Sequence, residues 1–483
     1  MPQSELKQKT VSGIIWKFME KFSIQFLMFL QSIIMARLLS PSDYGLVGMV
    51  AILNGICAIL VDSGLTNAVI RKKNPTKEDF STIFIFNVVM NFLMAALMVL
   101  CAPLLADFYN QPTLKNIICL FALQSASGSL LAVQGAKMTI DLRFKALGLI
   151  NVITTVSMGV ISVVLAFAGF GVYALVIPNI VAMYVRFALY YYYQHWFPGL
   201  SFSWKSFKEL FAYGSKMLAS NLINCIFNNI YPIVIGKKFS PADLGYYTRG
   251  QGYAALPSST VSDVITNVTL PILSKVQDDT DSLASIYRRM LRVSAYVVFP
   301  IMVWLAVMAK PAVVLMISSK WIPCVEYLQI LCFSLMWLPI ISLNQNLLQA
   351  KGFSNLYLRI TIFEKILLII VLVVTIPFGL RTMCFGSVVA TYLTLAINTY
   401  YTGKIINFGF FKQLKDFLPF LLASLLMGGS MCLVSALFSN YLVMLLVASI
   451  VGASVYLLET RIFKFDELGY ITTIIKENVL KRQ

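Results

Sequence analysis

The chain is short of charge. Only 12% of its 483 residues are Asp, Glu, Lys or Arg, against roughly 25% in a soluble globular protein. So little charge cannot cover a water-facing surface, and 59% of the residues are hydrophobic. The chain therefore reads as an integral membrane protein. Histidine is nearly absent too: His195 stands alone in a loop beside Trp196, an interfacial setting rather than a catalytic one. None of the eight cysteines (Cys57, Cys101, Cys119, Cys225, Cys324, Cys332, Cys384, Cys432) belongs to a C-x-x-C pair. All lie in or beside apolar segments and read as inert small hydrophobes. No G-x-x-x-x-G-K-[ST] occurs, which excludes ATP binding by that route. No cleavable signal is read at the N-terminus either. The apolar run after Gly13 is interrupted by Lys17, Glu20 and Lys21, and no small-residue cleavage site follows.

What is present is long apolar sequence. A spanning helix needs about 20 mostly apolar residues, and fourteen such segments are predicted: 14–36, 46–67, 82–106, 114–134, 146–168, 171–193, 214–236, 245–268, 293–317, 327–348, 361–379, 383–402, 418–438 and 441–459. They lack the alternation of outer-membrane strands, so the backbone must satisfy itself within helices. The expected fold class is an all-α, polytopic membrane protein. After Glu459 the alternation of apolar and charged residues predicts an amphipathic helix on the cytoplasmic surface over 461–483.

Lys and Arg orient the bundle. Loops on the side of the termini hold 19 of them, the opposite loops six (Arg37, Lys115, Lys237, Lys238, Lys320 and Arg381). Both termini are expected in the cytoplasm and the chain in the cell inner (cytoplasmic) membrane. The net charge of +17 follows from topology and from attraction to anionic membrane lipids. It gives no argument for nucleic acid.

A hexapeptide recurs: "SPSDYG" at 40–45 and "SPADLG" at 240–245. Each reads as a helix start, with Ser40 or Ser240 as N-cap, Pro41 or Pro241 at N1 and Asp43 or Asp243 reaching back. The register continues. Ser40, Pro41, Asp43, Gly45, Val61, Thr66 and Asn67 all match the residue 200 positions on, seven identities in 28 positions, where chance gives roughly two. "LLAVQGAKMTIDLRF" from 130 and "LLQAKGFSNLYLRI" from 347 echo each other as well. An offset of six helices makes this a parallel repeat. It predicts an N-lobe over 1–200, a C-lobe over 201–403, an appended helix pair over 404–460 and the tail over 461–483.

"ARLLSPSDYGLVGM", "DSGLTNAVIRK", "DLRFKALGLI", "KKFSPADLGYYTRGQGY" and "LLQAKG" resemble polysaccharide exporters of the Wzx type, in the multidrug/oligosaccharidyl-lipid/polysaccharide flippase superfamily. The resemblance is strongest to the colanic and teichuronic acid branch. It implies a non-enzymatic transporter moving an undecaprenyl-diphosphate-linked oligosaccharide from the cytoplasmic to the outer leaflet. It also implies a surrounding polysaccharide polymerase or export complex. Such a carrier needs no cofactor; its energy is expected from an ion gradient, H⁺ or Na⁺.

Charged side chains at bilayer depth cost about 2.5–3.5 kcal/mol on insertion scales, so each needs a reason. In the first segment Lys17, Glu20, Lys21, Gln25, Gln31 and Ser32 share a face. Lys17 and Lys21 could snorkel to the interface, but that does not explain the deeper polar residues. In the seventh, Ser220, Asn221, Asn224, Asn228 and Tyr231 form a stripe headed by Lys216, either polar glue between helices or a cleft wall. In the eighth, Arg249, Tyr253, Thr260, Asp263 and Asn267 align. Arg249 suits a diphosphate, although it could sit at the interface. Tyr253 suits a sugar ring, and Asp263 either pairs with Arg249 or takes a coupling cation. Arg249, Lys17, Lys21 and Lys216 are thus the expected cargo-attracting cations, with Arg186 a weaker candidate. Asp263, Asp62 and Glu364 are the expected coupling carboxylates, and no metal site is expected. The competing readings are a cation/drug antiporter of the same superfamily, a peptidoglycan-precursor flippase, and a membrane glycan polymerase or ligase. The last lacks the sizeable outer loop and paired carboxylates it would need.

Overall fold

A computed structural model describes the backbone of residues 3–469 and the side chains of residues 21–469, apart from 129, 130, 213 and 216. Among the described residues every regular element is helical. The contacts divide them into two compact units, one up to Gly245 and one from Tyr246.

The first unit holds α1 (Gln3–Leu38), α2 (Pro41–Asp62), α3 (Leu65–Arg71), α4 (Lys77–Tyr109), α5 (Thr113–Ile140), α6 (Phe144–Phe167), α7 (Tyr173–Gln194), α8 (Trp204–Asn228), α9 (Ile230–Lys238) and the first turn of α10 (Pro241–Lys275). Helices α4 and α5 pack along their lengths, α6 lies between α1 and α7, and α8 lies against α2, α3 and α4. The second unit holds the rest of α10 with α11 (Thr280–Val307), α12 (Ala309–Ile317), α13 (Ile322–Leu335), α14 (Leu338–Ala350), α15 (Ser354–Thr375), α16 (Leu380–Ile406), α17 (Phe410–Ser435) and α18 (Tyr441–Ile462). Its centre is aromatic: the Trp337 ring lies 5.0 Å from Phe299 and 5.1 Å from Phe417.

Among the described residues twelve helical segments are long and apolar enough to cross a membrane, or thirteen if α5, bent by 43°, is one span. The expected count of fourteen is not confirmed by this measure. The segment 245–268 falls in α10, which is 35 residues long with Pro257 and Pro271 inside it. Arg249, Asp263 and their polar neighbours make it too hydrophilic to qualify. The chain is nonetheless a multi-pass membrane protein.

Several expected segments are broken. Pro232, Pro311 and Pro339 each fall in the first three residues of the second piece, at the α8–α9, α11–α12 and α13–α14 breaks. Proline lacks the N–H and clashes with the carbonyl four residues back. The α2–α3 break has another cause. Ser63 and Gly64 are left-handed (φ 45° and 70°), and this kink meets Gly214 of α8. A Cβ on Gly214 would fall 2.5 Å from the Ser63 carbonyl oxygen, and one on Gly64 2.7 Å from that of Gly214. Only glycines permit this crossing.

The two hexapeptides meet. At the start of α2 the Ser40 hydroxyl accepts from the Asp43 amide, and the Asp43 carboxylate accepts from the Ser40 amide. Ser240 and Asp243 repeat the arrangement. These boxes satisfy helix-end donors locally. A Cβ on Gly45 would fall 1.7 Å from the Pro241 carbonyl oxygen, and one on Gly245 2.0 Å from that of Pro41. The contact is reciprocal, as in an isologous interface, and it is backbone on backbone.

At the other end of α3, Lys72 bonds to Asp79 (3.1 Å) and Glu209 (3.0 Å). Asp79 is wholly buried and also caps α4 through Thr76. In the second unit Arg288 grips Asp416 through two bonds of 2.5 and 2.6 Å, joining α17 to α11. The expected surface helix over 461–483 lies outside the described residues from 470 onward. Its described start packs inward instead: Phe465 lies 4.7 Å from the Phe420 ring, and Arg292 bonds to Glu467 at 2.5 Å.

Two outcomes are expected. Gly45→Ala and Gly245→Ala each destabilise by at least about 1–3 kcal/mol, because the obstacle is backbone; thermal unfolding in detergent checks this. Lys72→Met strips a buried carboxylate of its cation and costs about 1–3 kcal/mol. Burial alone would lower the Lys72 ammonium, but its hydrogen bonds to Glu209 and Asp79 raise it overall. Its contribution is therefore complete below the ordinary lysine range and is lost as pH climbs through the raised value. The gap in melting temperature between wild type and Lys72→Met should close only there.

Candidate functional site

Helix α1 carries its polar face past α6. Lys21 and Gln25 are exposed, while Gln31 is half-buried and donates to the Ser162 hydroxyl at 3.1 Å. Gly159 leaves room for it, a Cβ there lying 3.6 Å from Gln31 Oε1. Gln31 therefore serves as polar glue between helices, not as a continuation of an open stripe. On α8, Asn224 and Asn228 are exposed. The side chains of Lys17 and Lys216 lie outside the described residues. Asp62 ends α2, half-buried, just before the left-handed turn.

In the second unit Arg249 is half-buried, its guanidinium 5.8 Å above the Trp321 ring. Trp321 is itself fully buried and lies 6.1 Å from the Tyr246 ring. Gly250 makes this possible by letting α10 lie on α13; a Cβ there would fall 3.0 Å from the Leu328 amide nitrogen. Tyr253 is half-buried one turn on, while Thr260, Asp263 and Asn267 are exposed. The expected Arg249–Asp263 pair is excluded by spacing. Fourteen residues of helix separate the two by about 21 Å, beyond any ion pair. Arg249 stands near the hexapeptide end of α10, and Lys21 is midway along α1. Glu364 on α15 accepts a hydrogen bond from the Asn398 amide of α16.

The first unit also contains a cavity of about 530 Å³ between α3, α5, α6 and α7, whose lining includes Thr66, Thr139, Asn151, Arg186 and Tyr190. Sequence reading ranked Arg186 behind Arg249, because its position near a helix end is all that phase reveals. A signal for Thr66 was present, since it is one of the residues repeated 200 positions on.

An all-helical membrane bundle of this length, cut by proline and glycine and carrying polar residues at bilayer depth, is of the class that moves solutes across membranes. The family described as "Polysaccharide biosynthesis protein" matches residues 34–326, and the chain belongs to it. Its relatives include an uncharacterized membrane protein of the cps region of Klebsiella pneumoniae. That protein is 27% identical over 76% of this chain and 76% of the relative. Another relative is the lipopolysaccharide biosynthesis protein WzxC of Escherichia coli (strain K12), 25% identical over 82% of this chain and 80% of the relative. Among solved structures, the lipid II flippase MurJ in an inward closed conformation superposes with a TM-score of 0.77. It covers 94% of this chain and 100% of that one at 14% identity, which establishes the shared fold.

A double-mutant cycle on Gln31→Leu and Ser162→Ala should return a coupling of about 0.6–2 kcal/mol, the range for hydrogen bonds between membrane helices. A coupling of zero in thermal unfolding would show that the two side chains do not support each other.

Proposed function

We propose that the protein is a flippase that carries an undecaprenyl-diphosphate-linked oligosaccharide from the cytoplasmic to the outer leaflet, for surface polysaccharide biosynthesis. The observation that carries this reading is family membership over more than half of the chain, joined to the fold. A relative is named for lipopolysaccharide biosynthesis, and a lipid II flippase has the same fold.

In this reading the chain lies in the cytoplasmic membrane with both termini in the cytoplasm, as the 19-to-six distribution of loop cations supports. It makes and breaks no covalent bond. The lobes 1–200 and 201–403 alternate in access to the two leaflets, with 404–460 an appended pair and 461–483 a tail. The headgroup crosses along polar helix faces while the lipid tail stays among acyl chains. Lys17, Lys21, Lys216 and Gln25 act on the cytoplasmic approach, and Asn224 and Asn228 line the α8 face. Arg249 and Tyr253, near the opposite end of α10, receive the diphosphate and a sugar ring. Arginine serves here because its fork binds phosphate oxygens in pairs. An H⁺ or Na⁺ gradient drives the cycle, with Asp62, Asp263 or Glu364 as the titrating or coordinating carboxylate. A polysaccharide polymerase takes up the product.

Deleting the gene should cause undecaprenyl-linked oligosaccharide to accumulate in the cell. Rising sensitivity to cationic drugs without that accumulation would favour an antiporter instead. Complementation should fail with Arg249→Ala and be partial with Arg249→Lys. Full export in both variants would remove Arg249 from the mechanism.

A further inference from the structure

Two residues that line the cavity of the first unit, Arg186 and Thr66, each carry a buried polar atom, Nε and Oγ1, without a hydrogen-bond partner among the described residues. Buried donors are seldom left unpaired, and two such donors beside one cavity point to an occupant that draws them to it. Among the described lining residues Arg186 alone is charged, and none is a carboxylate. Water could satisfy the two donors, but it supplies no counter-charge to the guanidinium. An anion does both.

The walls say which kind. Leu131, Phe144, Leu147 and Met183 line the same space, so one side is apolar while the other offers donors. A free inorganic anion gains nothing from such a wall. A phosphate attached to an alkyl chain uses both sides. The cavity also lies near a cationic loop end. Helix α3 ends at Arg71, five residues beyond Thr66, and α6 begins just after Arg143, whose guanidinium donates to the Tyr193 carbonyl at 3.1 Å. Gly128 and Gly135 hold the space open; a Cβ on Gly135 would already press on the Tyr190 hydroxyl at 3.1 Å. The left-handed Ser63–Gly64 turn sets the direction of α3, and so the position of Thr66.

We propose that this cavity seats the phosphate head of a polyprenyl-linked lipid, with Arg186 supplying guanidinium donors, Thr66 a hydroxyl, and the apolar wall the first isoprene units. The identity of the lipid rests on the flippase reading; the anion chemistry rests on the cavity. It adds a seat in the first unit, separate from Arg249.

The test uses the purified full-length protein, with farnesyl diphosphate and inorganic pyrophosphate as probes in equilibrium dialysis. Farnesyl diphosphate should bind more tightly than pyrophosphate. Arg186→Gln should weaken it by about tenfold or more, as loss of a hydrogen bond to a charged group predicts, and Thr66→Val by a smaller factor. In the wild type, farnesyl diphosphate should protect Arg186 from phenylglyoxal, mapped by mass spectrometry. That measurement decides the matter alone if Arg186→Gln does not fold. Unchanged binding in Arg186→Gln, absence of protection, or equal affinity for pyrophosphate would each overturn the proposal, the first two leaving a water-filled cavity and the last a free-anion site. Deletion cells that accumulate no lipid-linked oligosaccharide would refute the flippase reading without altering the binding isotherm. An isotherm insensitive to Arg186 would refute this site without altering that accumulation.

Discussion

The carbonyl oxygens of Pro41 and Pro241 stand where side chains on Gly245 and Gly45 would have to be. In hydrocarbon, helices gain little from hiding apolar surface, so close backbone approach supplies much of their attraction. Such an approach tolerates no side chain and no unsatisfied helix end. The hexapeptide answers both demands. Its glycine removes the side chain, its proline removes a donor that would have no partner, and its Ser–Asp box satisfies two more donors within one turn. The recurrence after 200 residues thus has a steric reason: each copy is the surface against which the other packs.

The same constraint shapes the breaks. Irregular backbone within a membrane is tolerated only where protein or a wet cavity receives it. The Ser63–Gly64 turn is received by Gly214 of α8, while proline sets the breaks before α9, α12 and α14. Through the first of them, Thr66 reaches the cavity that also holds Arg186.

Polar residues at depth divide by what lies across from them. Gln31 has Ser162, Glu364 has Asn398, and Thr402 bonds to Asn344 at 2.6 Å; these are cross-helix ties. Arg249 rests on the face of Trp321, which stabilises a cation by its ring quadrupole. Helical phase drew the stripes but could not assign them, because phase gives the direction of a side chain and not the neighbour it meets. Arg249 and Asp263 illustrate the limit: they share a face, yet the rise of the helix keeps them two spans of a side chain apart. Arg186 illustrates the converse, for it belongs to no stripe, and its surroundings come from three other helices.

Composition and apolar run length were enough to establish a multi-pass helical membrane protein, because long apolar runs without alternation satisfy their backbone in lipid as helices. The repeat, the caps and the family motifs were equally legible, since each is local or depends on simple register. What only the tertiary structure decided was which glycines touch, where helices break without proline, and which intramembrane polar groups already have partners. Those depend on distances between residues far apart in the chain, and no spacing along one helix encodes the surface of the next.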